Sequence, residues 1–398
     1  MQRVAWGLML VFAFTIPWEY SLDLGWPLGN VSRIAGLLLL VVAVATVLVA
    51  GHLRTPGPLQ WLVLVFFLWF CCTGFWTIEA HATMEKIRAY FQEMMIVWLV
   101  WEFADHPRDL KNLFRAYVAG SWILAILTVV SLASPEAVAA GQIRFAATGQ
   151  DPNDSARFLD LGFPLAALLL TGESGWMGRS LALGYLPLGL VAVLLTASRG
   201  GFLAAVAAIA GCAVLLIRNH AKTAFAGLLA LPLIASALWF VVPHETFERL
   251  ATIPAQLQGG DLNQRLNIWS AGLHAFVQAP FFGSGAGTFV YAAGMSPIDT
   301  AHNTALSILV NGGLCAFFVA VAIVVVSLWS ALATRGMLLL ALVTALLVWT
   351  TTSLVATVEE SRTTWLLLGM IALAGRFSEE QPEQLAACFP SQPSPCIH

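Results

Sequence analysis

Residues 181–218 read LALGYLPLGLVAVLLTASRGGFLAAVAAIAGCAVLLIR, two apolar runs joined by little more than Thr196-Ala197-Ser198-Arg199-Gly200-Gly201. A helix of about 20 mostly apolar residues is long enough to cross the hydrocarbon of a bilayer. The stretch therefore predicts a membrane hairpin with a charge at its turn. The glycines permit a tight turn and the close approach of a neighbour or ligand. A charge at mid-bilayer depth costs about 2.5–3.5 kcal/mol unless it is paired or hydrated, so an anionic group is expected to face Arg199. Taken alone, Arg199 also fits a second reading, an arginine that snorkels to the interface and caps the hairpin.

Working outward, the same pattern fills the chain. Hydrophobic residues make up 59% and charged residues 10% of the 398, with a mean hydropathy of +0.81, against about 45–50% and about 25% in soluble domains. A soluble globular protein is excluded. Spanning-length windows centre near residues 11, 42, 68, 96, 123, 164, 188, 209, 233, 316, 345 and 369, so the predicted fold is all-α and polytopic, with about twelve transmembrane helices. Those near 11, 164 and 369 are the weakest. The net charge of −3 and pI near 6.2 offer no basic face for nucleic acid. Six cysteines, without CxxC or histidine partner spacing, support neither a disulfide framework nor a zinc site. Lysine occurs only at Lys86, Lys111 and Lys222, so the basic set is mostly arginine. That bias suits phosphate recognition, and a GC-rich genome explains it equally well.

The predicted organisation is spans one to nine over residues 1–242, a large loop over 243–301, spans ten to twelve over 302–376, and a polar, disordered tail over 377–398. Apolar residues at three- and four-residue spacing in His244–Leu257 and Asn263–Val277 predict helices lying in the interface within the large loop. With the amino terminus inside, the loops carry about ten Lys/Arg on the inner side and about nine on the outer, so the positive-inside rule does not decide the orientation.

Several polar groups sit where chemistry needs them. Arg265 opens an Arg-Leu-Asn-Ile-Trp run that places Trp269 one turn further on the same helical face. Gly283-Ser284-Gly285-Ala286-Gly287 reads either as a backbone anion cradle or as an ordinary joint. His302 and Asn303 open the tenth span, and the imidazole has an ordinary pKa of about 6.5, suited to a general base; the other reading is an exposed histidine followed by a helix cap. Arg144 precedes Asp151-Pro152-Asn153-Asp154, strong turn chemistry ahead of a span. Lys86 with Arg88, and Glu359, Glu360 with Arg362, read as site charges or as solvated loop charge. Asp160, an acid inside a span, is expected to pair with an arginine. The chain has no P-loop, His-Glu-x-x-His, Gly-x-Ser-x-Gly, or metal-binding Asp-x-Asp, so no metal and no cofactor is predicted.

Ser198-Arg199-Gly200 at a hairpin, Asp151-Pro152-Asn153 before a span, Arg265 to Trp269 leading into Gly283-Ser284-Gly285, and His302-Asn303 opening the next span occur in one order around one large loop. In this the chain resembles the O-antigen ligase and polymerase-like membrane proteins. The resemblance implies a GT-C-like glycosyltransferase in the bacterial inner membrane, with both termini cytoplasmic and the large loop periplasmic. Such enzymes move a glycan from undecaprenyl diphosphate to an acceptor hydroxyl: a lipid A–core sugar in ligases, another lipid-linked repeat in polymerases, a protein in O-glycosylation ligases. It implies that Arg199 and Arg265 bind the diphosphate and that His302 activates the acceptor, without metal and with inversion. Ser198, Asn303, Asn153, Arg144, Lys86, Arg88 and Trp269 are the further substrate-binding candidates. A transporter of lipid-linked glycans is the alternative of another class, although no internal repeat supports it.

Overall fold

Apolar runs in lipid must satisfy every backbone polar group internally, which leaves helices as the economical solution. The computed structural model describes residues 1–25, 29–134, 142–171, 175–219, 236, 238–296 and 299–390. The helices are α1 (Gln2–Thr15), α2 (Val31–Ala50), α3 (Pro58–Cys72), α4 (Ala80–Phe103), α5 (Pro107–Ser131), α6 (Pro152–Thr171), α7 (Trp176–Leu195) and α8 (Arg199–Asn219). After residue 243 come the short α9 (His244–Ala251), α10 (Ile253–Gly259), α11 (Arg265–Gln278) and α12 (Phe289–Ala292), then α13 (Thr304–Ala333), α14 (Gly336–Ser353), α15 (Arg362–Glu380) and α16 (Pro382–Cys388). Among the described residues, seven helices are long and apolar enough to cross a membrane. A helix stands at every predicted centre except the one near 233, which lies outside the described residues.

Local chemistry sets the ends. Asn30 Oδ1 accepts from Arg33 N at 2.9 Å to start α2, and Gly51 at φ +70° closes it, the usual polar N-cap and left-handed stop. Pro107 occupies the first turn of α5, where a missing N–H costs nothing, and Asp109 accepts from His106 N at 2.9 Å.

The two most enclosed helices, α6 and α15, are two of the three whose membrane signal is weakest by sequence. At least three quarters of the residues of each are buried, because α6 packs against α5, α7, α8 and α14 while α15 packs against α4 and α13. A helix surrounded by other helices can carry polar groups that a lipid-facing one cannot. Pro164 within α6 removes an interior backbone donor; nearby, the Tyr117 and Tyr185 hydroxyls donate to the carbonyls of Phe158 (3.0 Å) and Leu159 (2.6 Å). Asp160 departs from expectation. Both its carboxylate oxygens are buried without a hydrogen-bond partner, while Arg157 turns to Asp154 at 3.3 Å and to the Phe158 ring.

Another break explains the glycine-rich stretch. α13 is interrupted at Gly313, φ +68° and ψ −169°, and segment 280–285 lies along the gap. Ser284 N and Gly285 N donate to the carbonyls of Val310 (2.8 Å) and Asn311 (3.0 Å), Leu314 N donates to Pro280 O (2.8 Å), and Trp69 Nε1 donates to Gly312 O (2.8 Å). Irregular backbone is tolerated when protein satisfies it in this way. The joint reading holds, and these N–H groups are not left for an anion.

The chain end also differs from expectation. α15 runs on to Glu380 and α16 follows, with Leu385 and Phe389 buried and Lys111 Nζ donating to Cys388 O at 3.1 Å. Pro382 starts a new helix whose apolar residues, four apart, find a surface on α5; the polar composition conceals that pair.

Candidate functional site

The α7–α8 turn is built around Ala197, forced to φ +47°. A left-handed alanine costs roughly 1–2 kcal/mol, and it presents Ser198 and Arg199 at the start of α8. Ser198 Oγ accepts from Gly201 N at 3.2 Å and donates to Asn153 Oδ1 at 2.9 Å. The same amide oxygen accepts from Arg144 Nη2 at 2.8 Å, and Arg144 Nε donates to Thr196 O at 3.2 Å. Asn153 thus joins the turn before α6 to the hairpin and holds Arg144 over it.

The short helices after residue 243 close on the same turn. Arg249 of α9 donates from Nε to Ala197 O at 3.0 Å, and Arg199 donates from Nε to Arg249 O (3.4 Å) and from Nη1 to Asn263 Oδ1 (3.0 Å). Leu262, Asn263 and Gln264 all lie at positive φ immediately before α11, which begins at Arg265. His302 is likewise at φ +47°. Among the described residues, all five non-glycine positions in the left-handed region belong to this site, the clustering expected where surrounding structure holds strained backbone for function.

Electrostatics tie the pieces together. Arg144 is pushed below the ordinary guanidinium range by burial and by the charges of Arg249, Arg265 and Arg199, against the pull of Asp151. Arg249 is lowered by burial and by Arg199. Arg265 is lowered by burial and by Arg199, again opposed by Asp151. All remain charged, since guanidinium pKa values start above about 12. His302 is held below its ordinary value by burial and the Arg265 charge, with Asp151, Asp154 and Asp299 opposing. Four guanidinium groups and an imidazole therefore share one region, with Asp151 the acid common to Arg144, Arg265 and His302. Among the described residues none of the four arginines is in a side-chain ion pair.

The remaining candidates divide. The Trp269 indole donates to Ala301 O at 3.2 Å, fixing the backbone just before His302. Asn303 is spent as the α13 cap, accepting from Leu306 N (2.9 Å) and donating to Leu354 O (3.1 Å). Lys86 pairs with Glu360 at 2.5 Å, and Arg362 pairs with buried Glu19. These two clusters are structural partners, not solvated loop charge; Glu359 beside them is buried, and burial with the Glu360 charge pushes its carboxyl upward. Arg88 is exposed on α4, away from the cluster's hydrogen bonds. Arg249, Asn263 and Asp151 are site residues that sequence reasoning passed over as candidates. Only Asp151 had a signal, its place in the Asp-Pro-Asn turn.

The family model described as O-antigen ligase matches residues 184–321, from within α7 through the hairpin, Arg199, Arg249 and Arg265 to His302 and the first half of α13. Arg144, Asn153 and Lys86 lie outside that match. No curated protein matches the chain. The matched segment, about a third of the chain, carries the hairpin, the short helices and the histidine, and over those residues the chain is similar to the O-antigen ligase family.

Proposed function

We propose that this chain is a glycosyltransferase that moves a glycan from undecaprenyl diphosphate to an acceptor hydroxyl, a lipid A–core sugar, on the periplasmic face of the inner membrane. The observation that carries the reading is the gathering of Arg144, Arg199, Arg249 and Arg265, of which Arg144 and Arg265 feel the charge of Asp151 and none, among the described residues, is in a side-chain ion pair. Such an excess of fixed positive charge is costly unless a polyanion completes it, and a diphosphate presents several oxygens to planar guanidinium donors. Prepositioned guanidinium groups also stabilise the charge that develops on a departing diphosphate.

In the reaction, the acceptor oxygen attacks the anomeric carbon from the side opposite the diphosphate, and the bond from that carbon to the diphosphate oxygen breaks. The lipid diphosphate leaves with the electron pair, the hydroxyl proton passes to His302, and configuration inverts. A depressed imidazole pKa keeps His302 neutral and able to accept that proton near neutral pH. In this reading, residues 243–301 form the periplasmic loop that closes over the donor.

The test is reconstitution in nanodiscs with an undecaprenyl-diphosphate glycan and candidate acceptors. Arg199→Ala and Arg265→Ala should insert normally and lose transfer, with lysine replacements damaging as well. Transfer retained in both alanine variants overturns the proposal. Extension of lipid-linked repeats instead of a lipid A–core product would reassign the chain as a polymerase.

A further inference from the structure

Beside His302 lies a cavity of about 450 Å³ that the donor site does not use, walled by Lys86, Tyr291, Asp299, Ala301, Asn311 and Glu360 among others. Its volume falls within the roughly 300–1,000 Å³ typical of small-molecule sites. Its position is set by the catalytic neighbourhood: Ala301 precedes His302, and Trp269 pins the Ala301 carbonyl. Asn311 is carried into the wall by the half of α13 that ends at the Gly313 break.

Three features of the wall indicate its occupant. First, it holds polar groups without partners: Asn311 Oδ1 and Thr357 Oγ1 are buried with no hydrogen bond, although Asn311 Nδ2 reaches Ser307 Oγ at 3.2 Å. Unsatisfied buried acceptors and hydroxyls cost free energy, which a turn of these side chains toward a ligand's hydroxyls would recover. Second, Phe289 and Tyr291 supply apolar ring surface in the same wall. Third, its charge is opposite to that of the arginine cluster. Glu85, Asp299 and Glu360 face a single cation, Lys86, which is already bound to Glu360 at 2.5 Å. A phosphate or carboxylate entering here would meet net negative charge, whereas hydroxyls would find acceptors.

We propose that this cavity is the acceptor subsite and that it takes an uncharged, hydroxyl-rich sugar in preference to one bearing phosphate or carboxylate. The assignment rests on the glycosyltransferase reading above and deepens it: the protein separates its substrates by charge, the anionic donor head going to the arginines and the neutral acceptor ring to the acidic cavity.

The full chain in nanodiscs is examined by saturation-transfer NMR with methyl glucoside, its 6-phosphate and methyl glucuronide, and separately for undecaprenyl diphosphate binding. Methyl glucoside should bind at least about tenfold more tightly than either anionic probe. Asn311→Leu should abolish its signal, and Asp299→Asn, at an exposed position, should narrow the discrimination against the phosphate several-fold. Neither change should alter undecaprenyl diphosphate binding. Equal binding of neutral and anionic glycosides, or an unaltered methyl glucoside signal in Asn311→Leu, overturns the subsite. So does displacement of methyl glucoside by a lipid-linked glycan donor, which would make the cavity a donor-sugar site. Loss of the donor reading appears elsewhere, as undecaprenyl diphosphate binding that survives Arg199→Ala and Arg265→Ala.

Discussion

Replacing Asn153 by alanine or by aspartate separates what that residue does for the fold from what it does for the field. Its Oδ1 accepts from Arg144 at 2.8 Å and from Ser198 at 2.9 Å. Asn153→Ala strands a charged and a neutral donor; hydrogen bonds of these kinds are worth about 1.5–3 and about 0.5–1.5 kcal/mol, so the fold should lose about 2–4.5 kcal/mol. Asn153→Asp keeps both acceptor contacts and strengthens the one to Arg144, but it places a negative charge inside the arginine cluster. A phosphate held on the far edge of the Arg144 guanidinium would lie about 8 Å from the new carboxylate. At an effective dielectric of about 20 the repulsion is about 2 kcal/mol, about thirty-fold in affinity. Thermal unfolding in nanodiscs, paired with titration of undecaprenyl diphosphate, reads both quantities. The alanine variant should melt earlier. The aspartate variant should melt at or above the native midpoint while binding the lipid about thirty-fold more weakly. Native affinity in Asn153→Asp would refute the electrostatic reasoning, and an unchanged midpoint in Asn153→Ala would refute the structural part.

Two further expectations follow from the geometry. Because burial and then Arg265 hold His302 below the ordinary histidine pKa of about 6.5, the acid limb of the transfer profile should fall below pH 6.5. Nitrogen-15 histidine NMR should show the His302 pKa rising in Arg265→Gln and falling further in Asp151→Asn, and shifts of the opposite sign would refute the assignment. Gly313→Ala should lower the unfolding midpoint by several degrees, since φ +68° with ψ −169° is nearly glycine-only and costs about 1–3 kcal/mol in other residues, and the new Cβ would approach Phe282 N to 2.6 Å; an unaltered midpoint would show that the break relaxes.

The strained positions tell the same story as the charges. A loop that only connected two spans would have no reason to hold Ala197, Leu262, Asn263, Gln264 and His302 in the left-handed region. Arg199 and Arg265 each follow one of these residues closely, so the strain sets where the guanidinium groups emerge.

What the amino-acid order determined by itself was whatever rests on local periodicity. Apolar length marked the spans, Ser198-Arg199-Gly200 marked the hairpin, and amphipathic spacing marked helices after residue 243, which the structure divides at Thr252 and begins again at Arg265. These properties are written over one or two turns of chain and survive without neighbours. What only the tertiary structure decided depends on residues far apart in sequence. Arg249 reads as an ordinary surface residue of a short helix until its Nε meets Ala197 O, 52 positions away. Lys86 and Glu360 look like separate loop charges until α4 and α15 pack together. The glycine-rich stretch resembles an anion cradle until its N–H groups are found closing the Gly313 break. Hydrogen bonds and Coulomb forces act over a few ångströms of space whatever the chain separation, so packing alone could assign those partners.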